Sequence, residues 1–154
     1  MIRTRKGVTS AQIIDGCLKA KETGFALSLT AVLGLGGEER SIEHARATAR
    51  AFSAIDPDYI AMLSLMLVKD TPLVEAAARN DFVLPGPEAI LRELREIIAE
   101  TDVTGAVFWT THASNCLALE GSPPDDQEAM PAALDGILAM GSSAPPQPES
   151  LSGL

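Results

Sequence analysis

With 154 residues, 46% of them hydrophobic, the chain can bury one sizeable core but has no room for two full domains. Twelve scattered Lys and Arg against twenty-one Asp and Glu give a net charge of -9, which excludes the basic footprint of a nucleic-acid binder. No apolar segment nears the roughly 18 residues of a membrane span and no signal-peptide pattern opens the chain, so a soluble, cytoplasmic protein is expected.

In chain order, Arg3, Arg5 and Lys6 form the only basic cluster, a short solvated charge run. Thr9 or Ser10 can cap a helix whose Ile13, Ile14, Cys17 and Leu18 recur at helical spacing, and Gly24 stops it. Phe25 to Leu33 reads as a strand, nearly all apolar as in a parallel sheet covered on both faces. It runs into a glycine turn, Gly34-Leu35-Gly36-Gly37, after which Ser41 is placed to cap a helix to about Ala54. Ile42, Ala45, Ala49 and Phe52 would form that helix's apolar side.

Asp56-Pro57-Asp58 breaks the helix and leads into a second strand, Tyr59 to Leu67. Strand, helix and strand make a βαβ unit, expected to cross over right-handed. Pro72 and Pro87 each suit the first turn of a helix, the second spanning Glu88 to Glu100 with an apolar stripe of Ile90, Leu91, Leu94, Ile97 and Ile98. Val103 to Trp109 reads as a third strand, followed by a polar loop holding His112, Ser114 and Asn115. Asp125 to Met140 is expected to form a last helix, begun or kinked near Pro131, and residues 141–154, rich in Ser, Pro and Gly, a disordered tail.

The fold class expected is therefore α/β, with three main parallel strands alternating with helices. So narrow a parallel sheet does not easily stand alone, and the chain opens on a helix. The layout looks like the second half of something larger.

The glycine turn is the first candidate site, because a Gly-rich turn at a strand's carboxyl end lets a ligand approach the backbone. It is not a dinucleotide fingerprint: Glu39 stands where the third Gly belongs, and Asp56 and Asp58 precede the next strand instead of ending it. No Lys-Ser or Lys-Thr follows the glycines, which excludes a P-loop. A strand-to-helix turn without a ligand is the alternative. His44, read as a solvated helix residue, and His112 lie in no metal-binding pattern, and Cys17 and Cys116 are too distant to anchor a cluster. Two cysteines without export signals are expected to be small core or near-core residues and not a disulfide framework. His112 shares its loop with Thr110, Thr111, Ser114 and Asn115, where loop capping and chemistry are both open.

Five segments taken together are similar to the radical S-adenosylmethionine superfamily, and more narrowly to the carboxyl-terminal half of its iron-sulfur oxidoreductases. They are Lys6-Gly7-Val8-Thr9, Val32-Leu33-Gly34-Leu35-Gly36-Gly37-Glu38-Glu39-Arg40-Ser41, Asp56-Pro57-Asp58, Thr71-Pro72-Leu73 and His112-Ala113-Ser114-Asn115. The resemblance spans residues 2 to 138, in the family's order. It implies a partial, TIM-like barrel over residues 1–140, the second half of an open (β/α)6 barrel, in which the strands at 25–33 and 59–67 are the fifth and sixth.

The resemblance also implies S-adenosylmethionine as cofactor, reduced by a 4Fe-4S cluster that C-x-x-x-C-x-x-C binds. Against the family's adenine-side motif G-x-I-x-G-x-x-E, Val32 and Gly34 match, Thr30 replaces the first Gly, and Gly37 stands where Glu would be, with Glu38 one place later. Val32, Gly34, Gly36 and Gly37, with Leu67 and Val68 at the end of the sixth strand, are thus the implied cofactor-binding residues. His112 and Asn115 fall on the substrate side. This chain carries no C-x-x-x-C-x-x-C. The implied protein is a half that cannot cleave S-adenosylmethionine without a cluster-bearing partner, the alternative being a non-catalytic binding or interaction module; in either case association is expected, with an upstream cluster-bearing chain or with a second copy.

Overall fold

A computed structural model describes residues 7–112, 114, 115 and 117–140, and in it the three apolar runs form neighbouring parallel strands. They are β1 (Ser28–Leu33), β2 (Tyr59–Ser64) and β3 (Val107–Trp109), and a short antiparallel β4 (Glu120–Gly121) borders β3. Five helices accompany them: α1 (Ser10–Glu22), α2 (Ser41–Ile55), α3 (Pro72–Ala78), α4 (Pro87–Glu100) and α5 (Ala129–Met140). Among the described residues the architecture is a mixed α/β fold around an open, mostly parallel four-stranded sheet with order β1-β2-β3-β4. The expected tail at 141–154, the basic cluster Arg3, Arg5 and Lys6, and Cys116 lie outside the described residues.

Each strand is shorter than its apolar run, because pairing and not hydrophobicity sets its ends. Phe25 is 70% exposed, and the main chain before Ser28 is occupied by Asp58, whose carboxylate accepts the Leu27 N–H at 2.7 Å. β2 stops at Ser64, the register partner of Leu33, because β1 there turns away into the glycines. Val103 and Ala106 are buried, yet β3 begins only at Val107, opposite Tyr59. α5 begins at Ala129 instead of Asp125, with Pro131 in the first turn, where a missing N–H costs nothing. β4 was not anticipated: two residues carry no periodic signal.

Register sorts the sheet residues onto two faces. Leu29, Ala31 and Leu33 share one side with Ile60, Met62 and Phe108, and these pack with Phe52 of α2, Leu94 and Ile97 of α4, and Leu134 of α5 in a single core. The other side carries Thr30, Val32, Tyr59, Leu63, Val107 and Trp109, none of them in that core. Tyr59 and Val107 stay 41% and 46% exposed, and the Tyr59 ring meets Trp109 edge to face at 5.9 Å. The expectation of strands covered on both faces is therefore corrected: the described sheet buries its apolar residues chiefly on one side.

Helix boundaries follow local chemistry. Thr9, one of the two caps that the sequence offered, starts α1 and forms a capping box with Gln12. No residue of α1 is buried: its Ile13 and Leu18 recur at helical spacing but stay exposed, and Cys17 is half-buried. Ser41 is not the cap of α2 but its first residue, and Arg40 precedes it without a side-chain cap bond. The buried positions of α2 are Ser41, Ala45, Ala49, Phe52 and Ile55, which leaves Ile42, about 100° around the helix from Ser41, in solvent.

Asp56 ends α2 in the left-handed region (φ 51°) and ties three segments together. Its carboxylate accepts the Thr104 N–H and hydroxyl, each at 2.8 Å, and Lys21 of α1 reaches both its carboxylate and its carbonyl. The Thr104 N–H, reinforced by the Thr104 hydroxyl and Lys21 against the opposing effect of burial, holds the carboxyl below the usual aspartate range. A depressed carboxyl contributes stability that is complete above the unfolded-state value and is lost as pH falls through the folded one. Asp56→Asn, which tolerates the left-handed backbone, is expected to be less stable than wild type near neutrality. That gap should close as urea melts are taken below pH 4; a gap that widens toward acid would refute the assignment.

Candidate functional site

The carboxyl ends of β1, β2 and β3 lie side by side, the end of a parallel sheet at which ligands are characteristically bound. Two groups of residues converge there: the glycine turn after β1, and the polar loop after β3.

In the glycine turn, Gly34 is buried with φ +80°, and a Cβ added to it would lie 2.9 Å from the Ile90 side chain of α4. A Cβ on Gly36 would sit 2.8 Å from both the Arg40 carbonyl and the His44 Cβ. At Gly37, φ +69°, it would meet the Phe82 ring at 3.1 Å. The space that these glycines leave is thus taken up by the chain's own residues. Gly37 N–H donates to the Gly34 carbonyl at 3.0 Å and Glu38 N–H to the Val83 carbonyl at 2.9 Å, closing the turn against the segment after α3.

Between that segment, residues 80–83, and the turn, residues 35–40, opens a cleft of about 490 Å³. Gly36 and Gly37 line it. Its wall is mixed in charge, with Glu38, Glu39, Arg40 and Asp81 beside the Phe82 ring. Arg40 forks onto Glu43 through two bonds of 2.7 and 2.5 Å, which holds the Glu43 carboxyl below its ordinary range.

Beneath the turn lies a residue that the sequence reading passed over. Glu93 of α4 is fully buried, and its carboxylate accepts the Gly34 N–H at 3.0 Å and the Ser41 hydroxyl at 2.6 Å. His44 Nδ1 lies 2.9 Å from the same carboxylate, so this histidine is half-buried on a partner and not on the solvated face expected of it. The signal was present in the spacing. Glu93 stands three residues after Ile90 and four before Ile97, squarely on the buried stripe of its helix.

The loop after β3 is lashed to β2. Asn115 is buried, and its amide donates to the carbonyls of Met62 and Thr110 at 2.7 and 2.8 Å while its oxygen accepts the Ser64 hydroxyl at 3.0 Å. The Ser64 N–H donates to Ser114 Oγ at 3.2 Å. The Ser114 N–H donates to His112 Nδ1 at 3.1 Å, and Ser114 Oγ lies 2.9 Å from the same nitrogen. The His112 side chain itself is exposed.

Of the remaining residues singled out from the sequence, Val32 is half-buried, at the carboxyl end of β1 and paired with Leu63 on the open side of the sheet. Leu67 and Val68 lie past the end of β2, exposed, where the Val68 carbonyl accepts the Thr71 hydroxyl at 2.7 Å. Gly34, Gly36 and Gly37 are brought together in the turn, and His112 and Asn115 in the other loop. Among the described residues no group of three or more His, Cys, Asp and Glu is placed to hold a metal ion. No helix of the described residues is long and apolar enough to cross a membrane. No protein-family model matches the chain, and no curated protein matches it.

Proposed function

We propose that this chain is the carboxyl-terminal half of a radical S-adenosylmethionine iron-sulfur oxidoreductase of the cytoplasm, completed by a separate half that carries the cluster. The observation that carries the reading is the one-sided sheet. Parallel β1, β2 and β3 put their core and helices α2, α4 and α5 on one face and leave Val32, Tyr59, Leu63, Val107 and Trp109 on the other. A segment of barrel wall has that construction, its inner face waiting for the rest of the barrel.

The residues present fit the cofactor in part. Val32, apolar and partly accessible beside Leu63, suits the flat face of an adenine. Gly34, Gly36 and Gly37 shape the turn for the chain's own packing, so their service to a ligand is to hold Val32 and the cleft in place. A 4Fe-4S cluster has no ligand set among the described residues and belongs to the other half. Bound beside such a cluster, S-adenosylmethionine would supply a 5′-deoxyadenosyl radical for hydrogen abstraction. On the substrate side His112 presents an exposed imidazole, while Asn115 holds the loop that carries it. Leu67 and Val68, beyond the strand end, contribute apolar surface at the mouth of the site.

Filling of the glycine positions by Ile90, His44 and Phe82 favours a second reading, a half-barrel interaction module without catalysis. The two readings part on one experiment. The reading frame upstream is inspected for C-x-x-x-C-x-x-C, and its product is co-purified with this chain, reconstituted without oxygen and assayed for 5′-deoxyadenosine. Cleavage by the pair, absent from this chain alone and reduced about tenfold or more by Val32→Asp, is the expected result. If no neighbouring frame encodes the motif, the enzyme reading is abandoned for the interaction module.

A further inference from the structure

Glu93 is the only ionisable side chain among the described residues that is buried outright, and packing does not ask for it. An apolar residue would complete the stripe of Ile90, Leu94, Ile97 and Ile98, whereas a carboxylate here loses its hydration and must be fully bonded to be tolerated. It is so bonded, and all three partners belong to the glycine turn or to the helix that the turn starts. One is the N–H of Gly34, where the backbone enters the left-handed region; the second is the Ser41 hydroxyl, at the first residue of α2.

The third, His44, braces the turn a second time. Its ring is held on Glu93 while its Cβ stands against Gly36, where any added side chain would collide with it. The Gly34 carbonyl in turn accepts the Gly37 N–H. The orientation of one peptide, set by the buried carboxylate, therefore propagates to the residues that line the cleft.

We infer that Glu93 is the positioning residue of the glycine turn: through Gly34, Ser41 and His44 it sets the shape of the 35–40 wall of the cleft, without itself meeting a ligand. That the turn stands beside an adenine rests on the radical S-adenosylmethionine reading; the positioning does not. Glutamine can reproduce the geometry, since its oxygen accepts the Gly34 N–H and its amide donates to Ser41 once that hydroxyl reverses. Leucine can fill the stripe but leaves the Gly34 N–H buried without an acceptor.

The test is amide hydrogen exchange on the full chain, comparing wild type with Glu93→Gln, Glu93→Leu and Ser41→Ala. In Glu93→Leu the Gly34, Gly37 and Glu38 amides are expected to exchange at least about tenfold faster, with Ile97 and Ile98 in α4 unchanged. Glu93→Gln should stay within about twofold of wild type, and Ser41→Ala should fall between. Turn amides that keep their wild-type rate, a loss spread evenly over α4, or a glutamine variant no better than leucine would each overturn the inference. If Glu93→Leu does not fold, Ser41→Ala decides: faster exchange confined to the turn supports positioning and an unchanged turn refutes it. Failure of the radical S-adenosylmethionine reading would appear in the partner assay and leave these rates untouched.

Discussion

Gly34→Ala is expected to lower the stability of the chain by about 3 kcal/mol, seen as a fall in the urea midpoint at unchanged slope. Two costs act at the same atom. An L side chain at φ +80° carries a left-handed penalty of about 1–2 kcal/mol. Its Cβ would also stand 2.9 Å from Ile90 Cδ1, with Pro85 and Leu65 close behind, so α4 or the turn must shift. Overpacking of that kind typically costs about 1–3 kcal/mol.

Gly16→Ala is the control. It lies in α1 with nothing within 4 Å of an added Cβ, and alanine there should stabilise by about 0.5–1 kcal/mol through helix propensity. If Gly34→Ala melts within about 0.5 kcal/mol of wild type, the turn is more plastic than its packing implies, and the glycine is there for something other than Ile90.

The second large effect belongs to Asn115. Asn115→Ala is expected to cost about 2–3 kcal/mol, because its amide spans the Met62 and Thr110 carbonyls and both would lose a buried donor. Asn115→Asp should be at least as damaging. It keeps the size but turns a carboxylate oxygen toward two carbonyl oxygens. Both variants should release His112, since the loop that carries it is tied to β2 through Asn115 and Ser114. An Asn115→Ala protein that melts within about 0.5 kcal/mol of wild type would instead show that Asn115 is not the clamp of this loop.

Much of the helix layer was legible in the chain. In α4 the spacing of Ile90, Leu94, Ile97 and Ile98 announces the buried face, and Pro87 marks its start, because a helix needs only local pattern to declare itself. Thr9, and Thr71 with Pro72, start α1 and α3 for the same reason. Strand ends were not legible. Leu65 to Leu67 continue the apolar run of β2, yet β1 ends at Leu33: the Leu65 N–H still donates to the Leu33 carbonyl, and no residue of β1 remains beyond it to pair with Met66 and Leu67. The site divided along similar lines: the glycine turn and the His112 loop stand out as composition, whereas Glu93 and His44 meet only because α4 packs beneath α2, 49 residues apart along the chain.

By itself the sequence determined the α/β class, the helix stripes, the glycine turn and the absence of a cluster-binding cysteine motif, because each is written in residue identity and short-range spacing. Only the tertiary structure decided which face of the sheet is buried and which is left open, that Gly34 and Gly37 face the chain's own side chains, and that one buried carboxylate gathers the turn. Those are facts about register and about residues far apart along the chain, and a one-residue shift in pairing would send every strand side chain to the opposite face. Pattern names the elements; the contacts that assemble a site exist once they are packed.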